Sequence, residues 1–261
     1  MLKFSANLSI LFTELPFIER FAAARRAGFS AVECWFPYEH GVSTLRQVLD
    51  DNGLTLVGIN TASGEAGQWG LAALPGHEAA FDRSVQQALE YAQALGRPAV
   101  HVMAGLVGHV PAADAQRSYC ASLERAVRLA EGTGVCLLIE PLNGRDRPGY
   151  FLNSADQAAD VIERTGLGSL RIMFDCYHVQ VQQGDVITRL KRHFAKIGHI
   201  QIAGAPSRGE PDRGELNYTE VLREIDQLGW SGYIGAEYKP SGPTAESFGW
   251  LDELRRLGIA A

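Results

Sequence analysis

The stretch VCLLIEPLN, residues 135–143, decides how this chain is read. Five apolar or sulfur-bearing side chains run together, as in a strand buried on both faces, and the run stops at Glu140 and Pro141. A carboxylate at the margin of a core is costly unless it is paired, solvated or bound to a metal. Three later runs end in the same manner. LRIMFD stops on Asp175, GHIQIA carries Gln201 and YIGAEY carries Glu237, each roughly one strand–helix unit after the last.

Working outward, candidate strands fall at residues 4–9, 31–35, 54–60, 99–104, 135–141, 170–175, 198–203 and 233–238. Helix-like segments lie between them. One starts at Pro16 and stops at Gly28. Another, residues 77–96, places Phe81, Val85, Ala88, Leu89, Ala92 and Leu95 on one face and stops at Gly96. Segments 113–134 and 217–230 behave alike; Pro near the start and Gly at the end are helix punctuation. Eight such units follow one another without a linker or a composition break. This predicts an α/β chain, with residues 1–261 forming a single (β/α)8 TIM barrel domain. The rival is an open doubly wound sheet, which usually carries a Gly-rich phosphate turn after its first strand. Here LSILFTELPF follows, with no GxGxxG.

The totals narrow the function. The 261 residues are 46% hydrophobic and 21% charged, ordinary for a globular chain, and the formal net charge is -6. That balance disfavours nucleic acid or an anionic membrane surface as a partner, but not a small anionic substrate. The four cysteines, Cys34, Cys120, Cys136 and Cys176, form no CxxC pair. The N-terminal stretch lacks the apolar run of a signal peptide, and no segment reaches the ~20 apolar residues that span a bilayer. A soluble cytoplasmic protein with reduced thiols is the expectation. Aromatic loops such as WFPYEH, taken as exposed, are compatible with a homo-oligomer, dimer or tetramer.

In a barrel, catalytic groups sit at the carboxyl ends of the strands. Those positions read Asn7, Glu33, Asn60, His101, Glu140, Asp175, Gln201 and Glu237, and every one is polar. The last four converge from consecutive strands. Three carboxylates crowded at low dielectric repel strongly, and a divalent cation relieves the repulsion. Carboxylate and amide oxygens without cysteine form a hard set suited to Mg²⁺ or Mn²⁺. Glu140, Asp175, Gln201 and Glu237 are therefore the expected metal ligands.

At this point the sequence resembles the hydroxypyruvate isomerase family, within the xylose-isomerase-like TIM barrels. The matching motifs run nearly the whole length: ANLSILFTELPFIERFAAARRAGFSAVE and FPYEH, then ALPG, ALEYAQALG, VHVMAGL, IEPLN and PGYFL, then DCYHVQ, GHIQIAG, EPDRGELNY and GAEYKP. Two segments pull toward different branches. INTASGEAGQWGLAALPG (59–76) is similar to the 2-oxo-tetronate isomerases, whereas IEPLNGRDRPGYFL (139–152) is closer to the hydroxypyruvate isomerases themselves. The resemblance implies an intramolecular oxidoreductase of the aldose–ketose type. Its substrate would be a small sugar acid, 2-oxo-tetronate or hydroxypyruvate, transformed by metal-assisted proton transfer through an enediolate. The family's metal ligands carry over to Glu140, Asp175, Gln201 and Glu237, and its acid/base pair to Glu140 and Glu237.

Other residues have two readings each. His178, three past Asp175 in DCYH, is either a hydrogen-bond partner of a substrate oxygen, as the DxxH pattern of similar barrels implies, or a support for Asp175. His101 is a substrate contact or a packed histidine. Lys239 and Arg208 are candidates for the substrate's acid group. Trp35 and Trp69 wall a pocket or simply pack. Cys176 reads as a buried structural thiol. The functional rivals are a ketose 3-epimerase on free sugars, a multi-zinc nuclease and a sugar-acid binding protein without catalysis. Similar epimerases carry His where Gln201 stands. The nuclease needs more histidine than seven and a basic surface.

Overall fold

The computed structural model describes residues 1–261. Eight strands pair in parallel and in chain order, and the last closes on the first. They are β1 (Lys3–Asn7), β2 (Ala31–Glu33), β3 (Thr55–Asn60), β4 (Ala99–His101), β5 (Leu137–Ile139), β6 (Leu170–Asp175), β7 (Ile197–Ile202) and β8 (Tyr233–Ala236). The helices are α1 (Phe17–Arg26), α2 (Val42–Asn52), α3 (Glu78–Ala94), α4 (Ala112–Ala130), α5 (Ala155–Thr165), α6 (Cys176–Gln182), α7 (Val186–His193), α8 (Tyr218–Gln227) and α9 (Gly249–Arg256). The (β/α)8 barrel read from the alternation is the fold. No helix is long and apolar enough to cross a membrane.

Helix packing follows the apolar periodicity. The α3 stripe Phe81, Val85, Ala88, Leu89 and Ala92 is buried against the sheet, while Leu95, also buried, has become the residue that ends the helix. Each fully buried Val, Leu or Phe of this kind contributes roughly 1.5–3 kcal/mol relative to exposure. Ser154 starts α5 by accepting the Gln157 N–H, and Gly166 stops it with a positive φ of 64°.

Most strands end earlier than the apolar runs suggested. Strands β2, β4 and β5 stop at Glu33, His101 and Ile139, so Trp35, Ala104 and Pro141 already belong to loops. Between β6 and β7 lie two helices, α6 and α7, joined across Gly184 and Asp185.

The register aligns the polar strand ends. Asn7 lies opposite Glu33, Asn60 opposite His101 and Asp175 opposite Gln201. Gln201 also lies opposite Gly235, as does Ser5 from the other side. Alternation along a strand turns Ser5 and Asn7, and His199 and Gln201, to one side of the sheet, the barrel interior. A Cβ on Gly235 would lie 2.5 Å from Glu33 Oε1 and 2.8 Å from Gln201 Cγ. The missing side chain therefore makes room for the carboxylate and the amide.

Candidate active site

The carboxyl mouth of the barrel holds a small cavity, about 30 Å³. Trp35, Trp69, Met103 and Leu142 form apolar walls, and His101, Glu140, His178, Arg208 and Glu237 supply the polar lining. Local sequence explains the placement. Pro141 has no N–H for the ladder, so β5 ends and Glu140 is released at the rim. Asp175 is the last residue of β6 and the N-cap of α6, where it accepts the Tyr177 N–H at 2.8 Å. That bond uses Oδ1 and leaves Oδ2 buried without a hydrogen-bond partner.

Beneath the cavity is a closed polar network. Glu33 accepts from Asn7 Nδ2 at 3.2 Å, His199 Nε2 at 2.6 Å, Gln201 Nε2 at 2.7 Å and, more weakly, Ser5 Oγ at 3.4 Å. Burial opposes its ionisation, but His199 and the amide donors prevail and hold the carboxyl below its usual range. Asn7 Nδ2 also reaches Glu237 Oε2 at 3.0 Å, and Gln201 Nε2 donates to the same oxygen. With its amino group between two carboxylates, Gln201 must turn Oε1 the other way, and Oε1 is buried without a partner.

Electrostatically the site is overloaded with negative charge. Burial, and then the charges of Glu237 and Asp175, push the Glu140 carboxyl well above its usual range. Burial likewise raises Glu237 and Asp175, against the opposing pull of Arg208. Arg208 is the one cation in direct contact: its Nη2 donates to Glu237 Oε1 and lies 3.7 Å from Asp175 Oδ2. It holds this place with a φ of 57°, a conformation of some strain for a residue other than glycine.

Burial favours the neutral form of two histidines at the mouth, His101 and His178. Burial lowers His101 to about 3, and its Nδ1 stands 3.3 Å from Glu140 Oε2. Burial, then repulsion from Arg208 and Arg147, holds His178 well below its usual value. His178 Nδ1 accepts the Asn143 backbone N–H at 3.0 Å. In the neutral ring the proton is therefore on Nε2, which points to the site as a donor. Glu140, Asp175 and His178 present atoms within 4.8 Å of one another, but an Nε2–H cannot ligate a cation. The partnerless buried oxygens of the site are Glu140 Oε1, Asp175 Oδ2 and Gln201 Oε1. Three such oxygens, with Glu237 beside them, fit a hard divalent cation.

The structure thus brings Glu140, Asp175, Gln201, Glu237, His101, His178 and Arg208 to one mouth. It does not bring Lys239. That side chain is exposed, and the residue's role is a backbone bond from its N–H to the Arg208 carbonyl at 2.7 Å. Strand β8 ends at Ala236, before Glu237, so the alternation that was to align Lys239 with Glu237 does not extend that far. The WFPYEH loop does not expose its aromatics either. Trp35, Phe36 and Tyr38 are partly buried, and the Tyr38 hydroxyl donates to the Asn60 carbonyl. Cys176 is fully buried, with its thiol pushed well above the usual value by burial, and is inert. Sequence reasoning missed His199 and Arg147. The spacing of His199 and Gln201, two apart on β7, was the available signal for the first; nothing marked the second.

Comparison with known proteins shows the family. The sequence model of the xylose isomerase-like TIM barrel matches residues 21–254, and the chain belongs to that family. A 2-oxo-tetronate isomerase of Cupriavidus necator is 50% identical over 258 residues, covering 96% of this chain and 98% of that protein. The hydroxypyruvate isomerase of Escherichia coli is 39% identical, covering 98% of this chain and 100% of that protein. A crystal structure from Brucella melitensis, described as an AP endonuclease of family 2, superposes with a TM-score of 0.94. It is 35% identical and covers 97% of this chain and 99% of that one.

Proposed function

We propose that this protein is a sugar-acid isomerase that shifts a carbonyl between adjacent carbons of 2-oxo-tetronate or hydroxypyruvate. The two acids undergo the same change: carbon 2 is reduced from ketone to carbinol while carbon 3 is oxidised to carbonyl. No external oxidant is needed, because one hydrogen moves from carbon 3 to carbon 2 and the hydroxyl proton moves from the carbon-3 oxygen to the carbon-2 oxygen. The observation that carries the reading is the pair Glu140 and Glu237, two buried carboxyls lining one small cavity. Full-length similarity to isomerases of both acids supports it, and leans it toward the four-carbon acid.

One carboxylate of the pair takes the proton from carbon 3, giving an enediolate, and the pair returns a proton to carbon 2. Both groups are buried, and the carboxyl that takes the proton holds it between the two steps. His178 Nε2–H and the Arg208 guanidinium donate to the oxygens on which negative charge develops. Trp35, Trp69 and Met103 keep bulk water from the reacting carbons. Glu140, Asp175, Gln201 and Glu237 would hold a divalent ion, Mg²⁺ or Mn²⁺, whose charge stabilises the enediolate. The proposal places this work in the cytoplasm, where the four unpaired cysteines stay reduced.

The Glu237→Gln variant tests it. Turnover of the four-carbon acid should fall by about 10²–10⁴-fold, with the circular dichroism spectrum and melting temperature retained. Turnover at the wild-type level would remove Glu237 from the mechanism.

A further inference from the structure

A sugar acid brings a carboxylate, and the mouth must recognise it. The charge of Arg208, the nearest cation, is already offset by Glu237 and Asp175, although its Nε–H is without a partner. Lys239 points elsewhere. The remaining cation in the cavity wall is Arg147. Its guanidinium lies over the Trp69 ring, 3.7 Å from the centroid. Its only hydrogen bond within the protein runs from Nη1 to the Asp146 carbonyl at 2.9 Å. The Asp146 carboxylate is occupied by Tyr177, Asn143 and Arg145. Arg147 thus presents free N–H groups and an unpaired charge at the cavity, held in place by an aromatic face.

The rim that carries the pair is rigid. Three loops, those after β3, β4 and β5, are joined by main-chain bridges, Gly70 to Ala104 and Leu106 to Tyr150. Phe151 N–H also bonds the Gly105 carbonyl at 3.0 Å. Trp69 has a φ of 51° and Gly70 a φ of 115°. A Cβ on Gly70 would lie 2.5 Å from the Met103 carbonyl oxygen, so only glycine lets the loop turn there and lay Trp69 across the mouth. The two partners come from the two segments that resemble different branches, 59–76 and 139–152. Those segments meet at this contact.

We infer that Arg147, clamped on Trp69, receives the carboxylate of the substrate and so selects sugar acids over neutral ketoses. The inference rests on the isomerase reading above. Arg147→Met keeps bulk against Trp69 and removes the charge; Arg147→Lys keeps the charge. KM and kcat for the four-carbon 2-oxo acid are measured, together with competitive inhibition by erythronate, a four-carbon aldonate that binds without turnover. R147M should raise both KM and the inhibition constant by about 10–100-fold, with kcat within about threefold and an unchanged melting temperature. R147K should recover most of that loss. Wild-type constants in R147M would overturn the inference, as would equal losses in R147M and R147K. Should the wild type turn over neither acid, the isomerase reading falls, and this assignment with it.

Discussion

At the scale of the residue, Glu33 explains why a carboxylate is tolerated inside the barrel. It accepts from four side chains, and its bond to Gln201, together with that of Glu237, sets which end of that amide faces the cavity. Glu33→Gln lets the amide turn over and aim its amino group at the cation. The affinity of metal-stripped protein for Mn²⁺, measured by chelator competition, should weaken by about 10–100-fold. An unchanged affinity would mean that Gln201 is oriented by something else. Asn7 and Glu33 were legible as polar strand ends, but their work was not. A carboxylate that binds neighbours and one that binds a ligand look the same until the register places Asn7, His199 and Gln201 around the first. Arg147 was illegible for a different reason. Its function depends on Trp69, nearly eighty positions earlier, brought to it by loop bridges that no periodicity announces.

At the scale of the element, strand order was readable because two periods alternate along the chain, and β6 was read with the bounds it has. The conformations of the loops that carry the cations were not readable, although Arg208 was named from one of them. Glu210, buried in the β7–α8 loop, accepts the Ser241 N–H at 2.8 Å and the Ser241 hydroxyl at 2.7 Å. These bonds tie the loop that presents Arg208 to the loop after β8. Burial opposes ionisation of Glu210, yet the Ser241 donors prevail and hold its carboxyl below the usual value. The stability it gives is therefore fully present above the unfolded-state value near pH 4.5, and is lost as the pH falls through the lower folded-state value. Denaturant melts of wild type and Glu210→Gln should differ by about 1–2 kcal/mol at pH 7, with the gap closing as the pH falls below the unfolded-state value. A gap independent of pH would contradict the assignment.

At the scale of the molecule, the chain is acidic overall and most densely so at the mouth, where Glu33, Glu140, Asp175 and Glu237 lie buried around one engaged arginine. Such a site is suited to a divalent cation and a small oxygen-rich ligand, and unsuited to a polyanion. That balance could be read from strand ends alone, because a barrel delivers every strand end to one place. The most direct test of the central claim is proton NMR in D₂O. Metal-stripped protein is incubated with 2-oxo-tetronate or hydroxypyruvate, with and without Mg²⁺ or Mn²⁺. The expected result is metal-dependent deuterium gain at the carbon beside the carbonyl, together with conversion to the isomer. Absence of exchange with both acids, alongside exchange into free ketoses such as tagatose, would contradict the sugar-acid isomerase and make the protein an epimerase.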